Sequence, residues 1–296
     1  MSRTALQATS AFYQASPALR LSRWTLAATQ RLWPSLAVRV AFRLFGTPLP
    51  PRWLQRPARW DAHWGAQRCQ FEDGSITLHT RGAASDAPTV LLVHGWGGHA
   101  GQLLAMADAV AAEGFRPVLL GLPAHGTNAG RVSNLPQFAR AIDYAAALLQ
   151  QQGHALHAVV AHSLGANAAV YATSRGLAAG RLVLLAPPAS ARDYTRLFAH
   201  VFGLSETTRS RMQALIEARE GVLMANFEPQ ALGGRIHVPT LIVHDRGDRI
   251  NPFAHGEWFA REIAGARLLA TEGLGHRKLL ADAAVIREVL AFLRAA

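Results

Sequence analysis

Residues 158–166 read AVVAHSLGA, a run of small and β-branched apolar residues that stops on a hydroxyl flanked by the smallest side chains available. A strand that turns into a helix within one residue strains the backbone of the residue at the turn. Side chains two before and two after it must then be small. Ala161 and Gly165 meet that need around Ser163. Such a turn lifts a hydroxyl above the sheet edge and aims the next N–H, here that of Leu164, at a developing negative charge. Serine is a weak nucleophile near neutral pH, so it needs a base, and the base needs an orienting acid. His276, in GLGH at 273–276, and Asp248, in DRINP at 248–252, supply those types later in the chain. Asp245 is the rival acid, three residues earlier. The DRINP context favours Asp248 and leaves Asp245 to order the loop. A second N–H for the oxyanion is expected from HGWGG at 94–98, placing that donor on Trp96 between permissive glycines.

These residues need a frame that brings distant segments to one edge. Continuous apolar runs predict strands at 89–94, 116–121, 156–162, 181–186, 239–245 and 266–270. Helical patterns fill the intervals near 101–113, 135–151, 164–175, 253–263 and 278–294. Extended runs on either side of Asp73-Gly74 within 68–82 predict a hairpin. Apolar strands alternating with helices imply an α/β fold with a mostly parallel central sheet flanked by helices. In open parallel sheets, ligands bind beyond the carboxyl ends of the strands, where the turns carrying Ser163, Asp248 and His276 fall.

Charge is placed unevenly. Of a formal +11, residues 1–60 hold nine arginines and no acid, leaving only +2 on the remaining chain. That near-neutral remainder excludes a phosphate-tracking groove across the fold, so no nucleic-acid partner is expected. A single cysteine, Cys69, excludes an intrachain disulfide and a thiolate metal cluster and suits a reducing, cytoplasmic setting. Neither a HExxH pair nor a GxGxxG or GxxxxGK[ST] loop occurs, so no metal and no cofactor is expected.

Three parts follow: an Arg/Trp-rich helical extension at 1–64, a core at 65–188 and 234–296, and a helical cap at 189–233. Proline-rich 47–60 is an extended connection. In 35–46, Arg39 and Arg43 share one helical face while Leu36, Val40, Phe42, Leu44 and Phe45 cover much of the rest. Such a helix reads as an arm packed on the catalytic domain, as peripheral membrane contact through residues 1–60, or as part of a targeting segment.

The motifs HGWGG at 94–98, PAHG at 123–126, AHSLG at 161–165, DRINP at 248–252 and GLGH at 273–276 together resemble the α/β-hydrolase superfamily, serine hydrolase branch, over roughly residues 70–294. The resemblance implies Ser163 as nucleophile, Asp248 as acid, His276 as base, and Trp96 and Leu164 as oxyanion donors. Two departures stand out: Ala161 replaces the first elbow glycine, and Gly121-Leu122 precede Pro123 where relatives commonly carry Asp. The expected activity is cleavage of a mainly apolar carboxylic ester or thioester. An acyltransferase or cofactor-free perhydrolase would use the same residues, and a non-catalytic binding protein would keep only the fold. His125, Phe198 and Phe202 are the expected substrate contacts.

Overall fold

The computed structural model describes residues 17–49, 60–84 and 86–295. The expected connection at 47–60 therefore falls largely outside the described residues. The chain forms two compact units, Pro48–Ala189 with Pro229–Ala296, and Met1–Thr47 with Ser190–Glu228.

The larger unit is built on one eight-stranded sheet in the order β1-β2-β4-β3-β5-β6-β7-β8. Its strands are β1 (Trp64–Phe71), β2 (Gly74–Arg81), β3 (Thr89–Val93), β4 (Arg116–Gly121), β5 (Leu156–His162), β6 (Leu182–Leu185), β7 (Thr240–Asp245) and β8 (Arg267–Thr271). The pairs β1–β2 and β2–β4 are antiparallel, and every other pair is parallel. Alternate strand residues go to opposite faces, and both faces are covered. Leu91, Val93, Val159, Ala161 and Ile242 join one apolar cluster with helices Leu135–Gln151, Leu164–Ser174 and Phe253–Glu262. Val90, Leu92, Val160, Val183 and Val243 join another with helices Leu104–Ala112 and Ala283–Arg294. That double burial is why the strands read as unbroken apolar runs, each buried Val or Leu contributing about 1.5–3 kcal/mol.

Two local expectations shift. In the hairpin the connecting residues are Glu72 and Asp73, with Phe71 opposite Gly74, and it is Glu72 that takes φ 47°. Gly74 serves close approach instead: a Cβ there would lie 2.6 Å from the Ala129 carbonyl oxygen. The helix expected from 278 starts at Ala283, because Asp282 accepts from the N–H groups of Ala284 and Val285 at 3.0 Å and caps it. A short separate helix, Gly275–Lys278, precedes it.

The smaller unit packs helices Pro17–Leu32 and Pro34–Phe45 with Ala191–Phe202 and Glu206–Glu220. Ala37 and Ala41 are fully buried, one turn apart, so the helix backbone approaches closely; Met212, Ile216 and Met224 pack around Ala41. Gln30 ties the two halves of this unit, donating to the Gly203 carbonyl at 3.2 Å and accepting from the Ser205 N–H at 2.7 Å. Arg192 clamps the buried Glu228 with two bonds, 2.8 and 2.9 Å, closing the 190–228 excursion on itself. Among the described residues no helix is long and apolar enough to cross a membrane.

Candidate active site

β5 ends at His162, and the helix Leu164–Ser174 begins one residue after Ser163. Ser163 alone absorbs the reversal, at φ 53° and ψ −128°, a strain of about 1–3 kcal/mol that packing must hold. Three observations show how it is held. The Ser163 N–H donates to the Leu185 carbonyl at 2.8 Å. A Cβ on Gly165 would lie 2.4 Å from the His94 carbonyl oxygen, and one on Gly95 would lie 2.6 Å from the Ser163 Cβ. Loop 94–98 is thus pressed against the elbow, and no larger residue fits at either glycine.

The Ser163 hydroxyl lies 3.0 Å from His276 Nε2, and His276 Nδ1 lies 2.7 Å from Asp248 Oδ2. A carboxylate only accepts, so Nδ1–H donates to Asp248, and bare Nε2 accepts from Ser163. The other oxygen, Asp248 Oδ1, accepts from the N–H groups of Ile250 at 2.7 Å and Asn251 at 3.0 Å. Burial pushes the Asp248 pKa up, but hydrogen bonds from His244 and His276, the charge of His276 and the Asn251 N–H overcome it. The net result holds the carboxyl well below the usual range. It stays ionised opposite the imidazole across the neutral range.

Asp245 has a different job. Its Oδ1 accepts from the Gly247 N–H at 2.9 Å, and its Oδ2 accepts from the Thr271 hydroxyl at 2.8 Å and the Leu274 N–H at 2.9 Å. It therefore pins the turn after β7 to the segment that carries His276. The N–H groups of Trp96 and Leu164 have no acceptor among the described residues. The Trp96 indole rests edge-on to His125, ring centroids 5.2 Å apart.

His125, expected at the substrate, is instead buried, with Nδ1 2.8 Å from the Pro123 carbonyl and Nε2 accepting from the Gly97 N–H at 3.0 Å. Nδ1 is spent within loop 121–134 and Nε2 on joining that loop to loop 94–98, so neither is free for a ligand. Phe198 and Phe202 lie in the smaller unit, their rings tilted against each other with centroids 4.5 Å apart, and Phe198 also meets Phe45 edge-on at 5.3 Å.

Three further side chains adjoin the triad. Asn251 donates from Nδ2 to the Ala186 carbonyl at 2.7 Å and reaches the Ser163 hydroxyl at 3.4 Å. His244, fully buried, donates from Nε2 to the Asn251 carbonyl at 2.9 Å and lies 3.5 Å from Asp248 Oδ2. His162 Nε2 donates to the backbone carbonyl of His276 at 2.9 Å, fixing the loop that carries the base. Burial, with the His276 charge second, lowers the His162 pKa to about 3, so this ring stays neutral. Asn251 stands inside the DRINP motif, so its signal was on the page; the partners of His244 and His162 depend on where separate strands end.

A family model described as serine aminopeptidase, S33, matches residues 84–220. The chain is 28% identical to the pimeloyl-[acyl-carrier protein] methyl ester esterase of Chromobacterium violaceum, over 65% of this chain and 89% of that protein. Among solved structures it is similar to a hydrolase from Pseudomonas aeruginosa, with TM-score 0.62 and 20% identity over 79% of this chain and all of that one. An esterase from Pyrococcus furiosus gives TM-score 0.61 and 18% identity over 81% of this chain and 98% of that one. A membrane phospholipase A, described as a bacterial virulence factor, gives TM-score 0.60 and 16% identity over 94% and 98%.

Proposed function

We propose that this chain is an α/β-hydrolase acting on ester bonds, in which Ser163, His276 and Asp248 cleave a mainly apolar carboxylic ester or thioester through an acyl-enzyme. The observation that carries the reading is the continuous relay from Ser163 Oγ through both nitrogens of His276 to Asp248 Oδ2, at 3.0 and 2.7 Å.

In this mechanism Ser163 Oγ attacks the acyl carbon while its proton passes to His276 Nε2. Asp248 stabilises the imidazolium and keeps its tautomer. The oxyanion of the tetrahedral intermediate takes hydrogen bonds from the Trp96 and Leu164 N–H groups, which cost no reorganisation because the elbow already fixes them. Collapse expels the alcohol or thiol, protonated by His276, and leaves the acyl group on Ser163. Water, deprotonated by His276, then releases the acid and restores the serine.

Ser163→Ala should cut turnover of p-nitrophenyl esters by about 10⁴-fold or more and abolish fluorophosphonate labelling, with the circular dichroism spectrum unchanged. Retained turnover would refute the assignment. A graded series of acyl lengths measures the apolar preference, and product analysis with alcohol, thiol or peroxide present separates hydrolysis from acyl transfer.

A further inference from the structure

The smaller unit carries a surface that ester hydrolysis does not use. On helix Pro34–Phe45 the buried positions Ala37 and Ala41 define the inner face. Trp33, Leu36, Val40 and Leu44 fall on a separate stripe, each at least 36% exposed. Arg39 and Arg43 lie beside that stripe. Helix Glu206–Glu220 of the same unit adds Leu215 and Arg219, which with Leu36, Arg39, Val40, Phe42 and Arg43 line an open cavity of about 490 Å³. Its apolar wall is Leu36, Val40, Phe42 and Leu215, and its charges are Arg39, Arg43 and Arg219, with no acid in the lining. None of the three guanidinium groups has a carboxylate partner among the described residues; Arg219 sits 5.6 Å over the Phe42 ring. Trp24, on the preceding helix, is 78% exposed.

We propose that this face docks on the surface of an anionic phospholipid bilayer, the apolar stripe entering the acyl boundary and the three arginines holding headgroup phosphates. Charge complementarity selects that occupant. Exposed leucine, valine and tryptophan alone would suit any apolar partner. Here they alternate with unpaired arginines in a chain whose first 60 residues contain no acid, the composition of an interfacial helix attracted to anionic lipid. Arginine also matches phosphate geometry with a bidentate fork. Helix Pro34–Phe45 has 12 residues, too short to span a bilayer but long enough to lie along it.

The test is co-sedimentation of the full chain with vesicles of phosphatidylcholine alone or mixed equally with phosphatidylglycerol. Binding to the mixed vesicles should exceed binding to pure phosphatidylcholine at least tenfold and weaken in high salt. Each basic residue near such a surface is worth about fivefold in partitioning, so Arg39→Gln with Arg43→Gln should reduce binding by about 25-fold. Leu36→Ser with Val40→Ser should reduce it independently, while turnover of a water-soluble ester by both variants stays at the parent value and reports an intact fold. Equal binding to both vesicle types, or parent-level binding by both variants, would overturn the proposal. So would light scattering that shows a dimer abolished by the Leu36 and Val40 changes without any lipid binding.

Discussion

The two units solve opposite problems with their polar groups. Around Ser163 the polar groups that matter are committed: Asp248 accepts from His276, Ile250 and Asn251, Asp245 from Gly247, Thr271 and Leu274, and His125 bridges two loops. Backbone there approaches so closely that Gly95 and Gly165 leave no room for a methyl group. On helix Pro34–Phe45, by contrast, Arg39 and Arg43 are exposed and unpaired, and Leu36, Val40 and Leu44 face solvent. A catalytic centre needs preorganisation, which is paid for in strain and buried polar groups held by bonds. A docking face needs only composition and exposure. Substitutions in the first region should therefore act steeply, and those in the second should be nearly silent in the absence of a partner.

The steepest contrast lies within the larger unit, between two carboxylates three residues apart. Asp248→Asn leaves His276 without an acceptor that enforces Nδ1–H, so kcat should fall by about 10³–10⁴-fold with little loss of stability. Asp245→Asn replaces one of the two accepting oxygens that tie the β7 turn to the His276 segment with an NH₂ group facing N–H or O–H donors. It should cost about 1–3 kcal/mol in urea unfolding and lower kcat far less. Equal kcat effects would erase the division of labour drawn between them.

Gly165→Ala probes the close packing behind the elbow. Its methyl would meet the His94 carbonyl oxygen at 2.4 Å and Val93 Cγ1 at 3.0 Å, and neither a backbone carbonyl nor a core strand can swing away. A loss of about 2–3 kcal/mol is expected, with reduced turnover because Gly95 and Ser163 move together. Gly114→Ala is the comparison within the same unit: that glycine has φ 85° but nothing within 4 Å, so the smaller penalty measures backbone strain alone.

Acid should act next. Burial lowers the pKa of His79 to about 4 and of His162 to about 3, and depresses His94 well below its ordinary value. Unfolded, these rings take up protons near pH 6.5, so below that the unfolded chain binds more protons than the folded one and stability falls as pH drops. Each such ring contributes a slope of at most about 1.4 kcal/mol per pH unit, for His79 between roughly pH 6.5 and 4, discounted because that ring is only partly buried. The depressed Asp248 adds a loss of the same sign at lower pH still. His79→Gln, at a ring stacked 4.0 Å from Trp60, should flatten the upper part of the slope and leave ester turnover at neutral pH intact. An unchanged slope would remove His79 from the account.

How far these features could be read in advance follows from their range along the chain. The strand ends and the elbow were legible because they are local: AHSLG, DRINP and GLGH each carry their turn within a few residues, and helix 135–151 shows its period over its whole length. His125 misled because PAHG does not say which way the ring points; that is set by the Gly97 N–H, 28 residues away. Glu72 taking the positive φ in place of Gly74 was hidden too, since Gly74 is required by Ala129 across the fold. The gathering of the N-terminal helices with 190–228 in one unit rests on Ala41 meeting Met212 and Ile216, and small residues on a helix face announce a close partner without naming it.

The smallest effect closes the comparison. Arg39→Gln with Arg43→Gln removes two charges from a face where neither has a carboxylate to lose, and both aliphatic stems remain in place. Unfolding free energy in the absence of lipid should change by less than about 0.5 kcal/mol, and any change should be towards stability, since like charges near one another are separated less cheaply in the folded unit than in the open chain. A loss of more than about 1 kcal/mol would mean that these arginines are structural. The two regions would then differ in degree, and the argument that the smaller unit keeps its charges for an external partner would fail on stability alone.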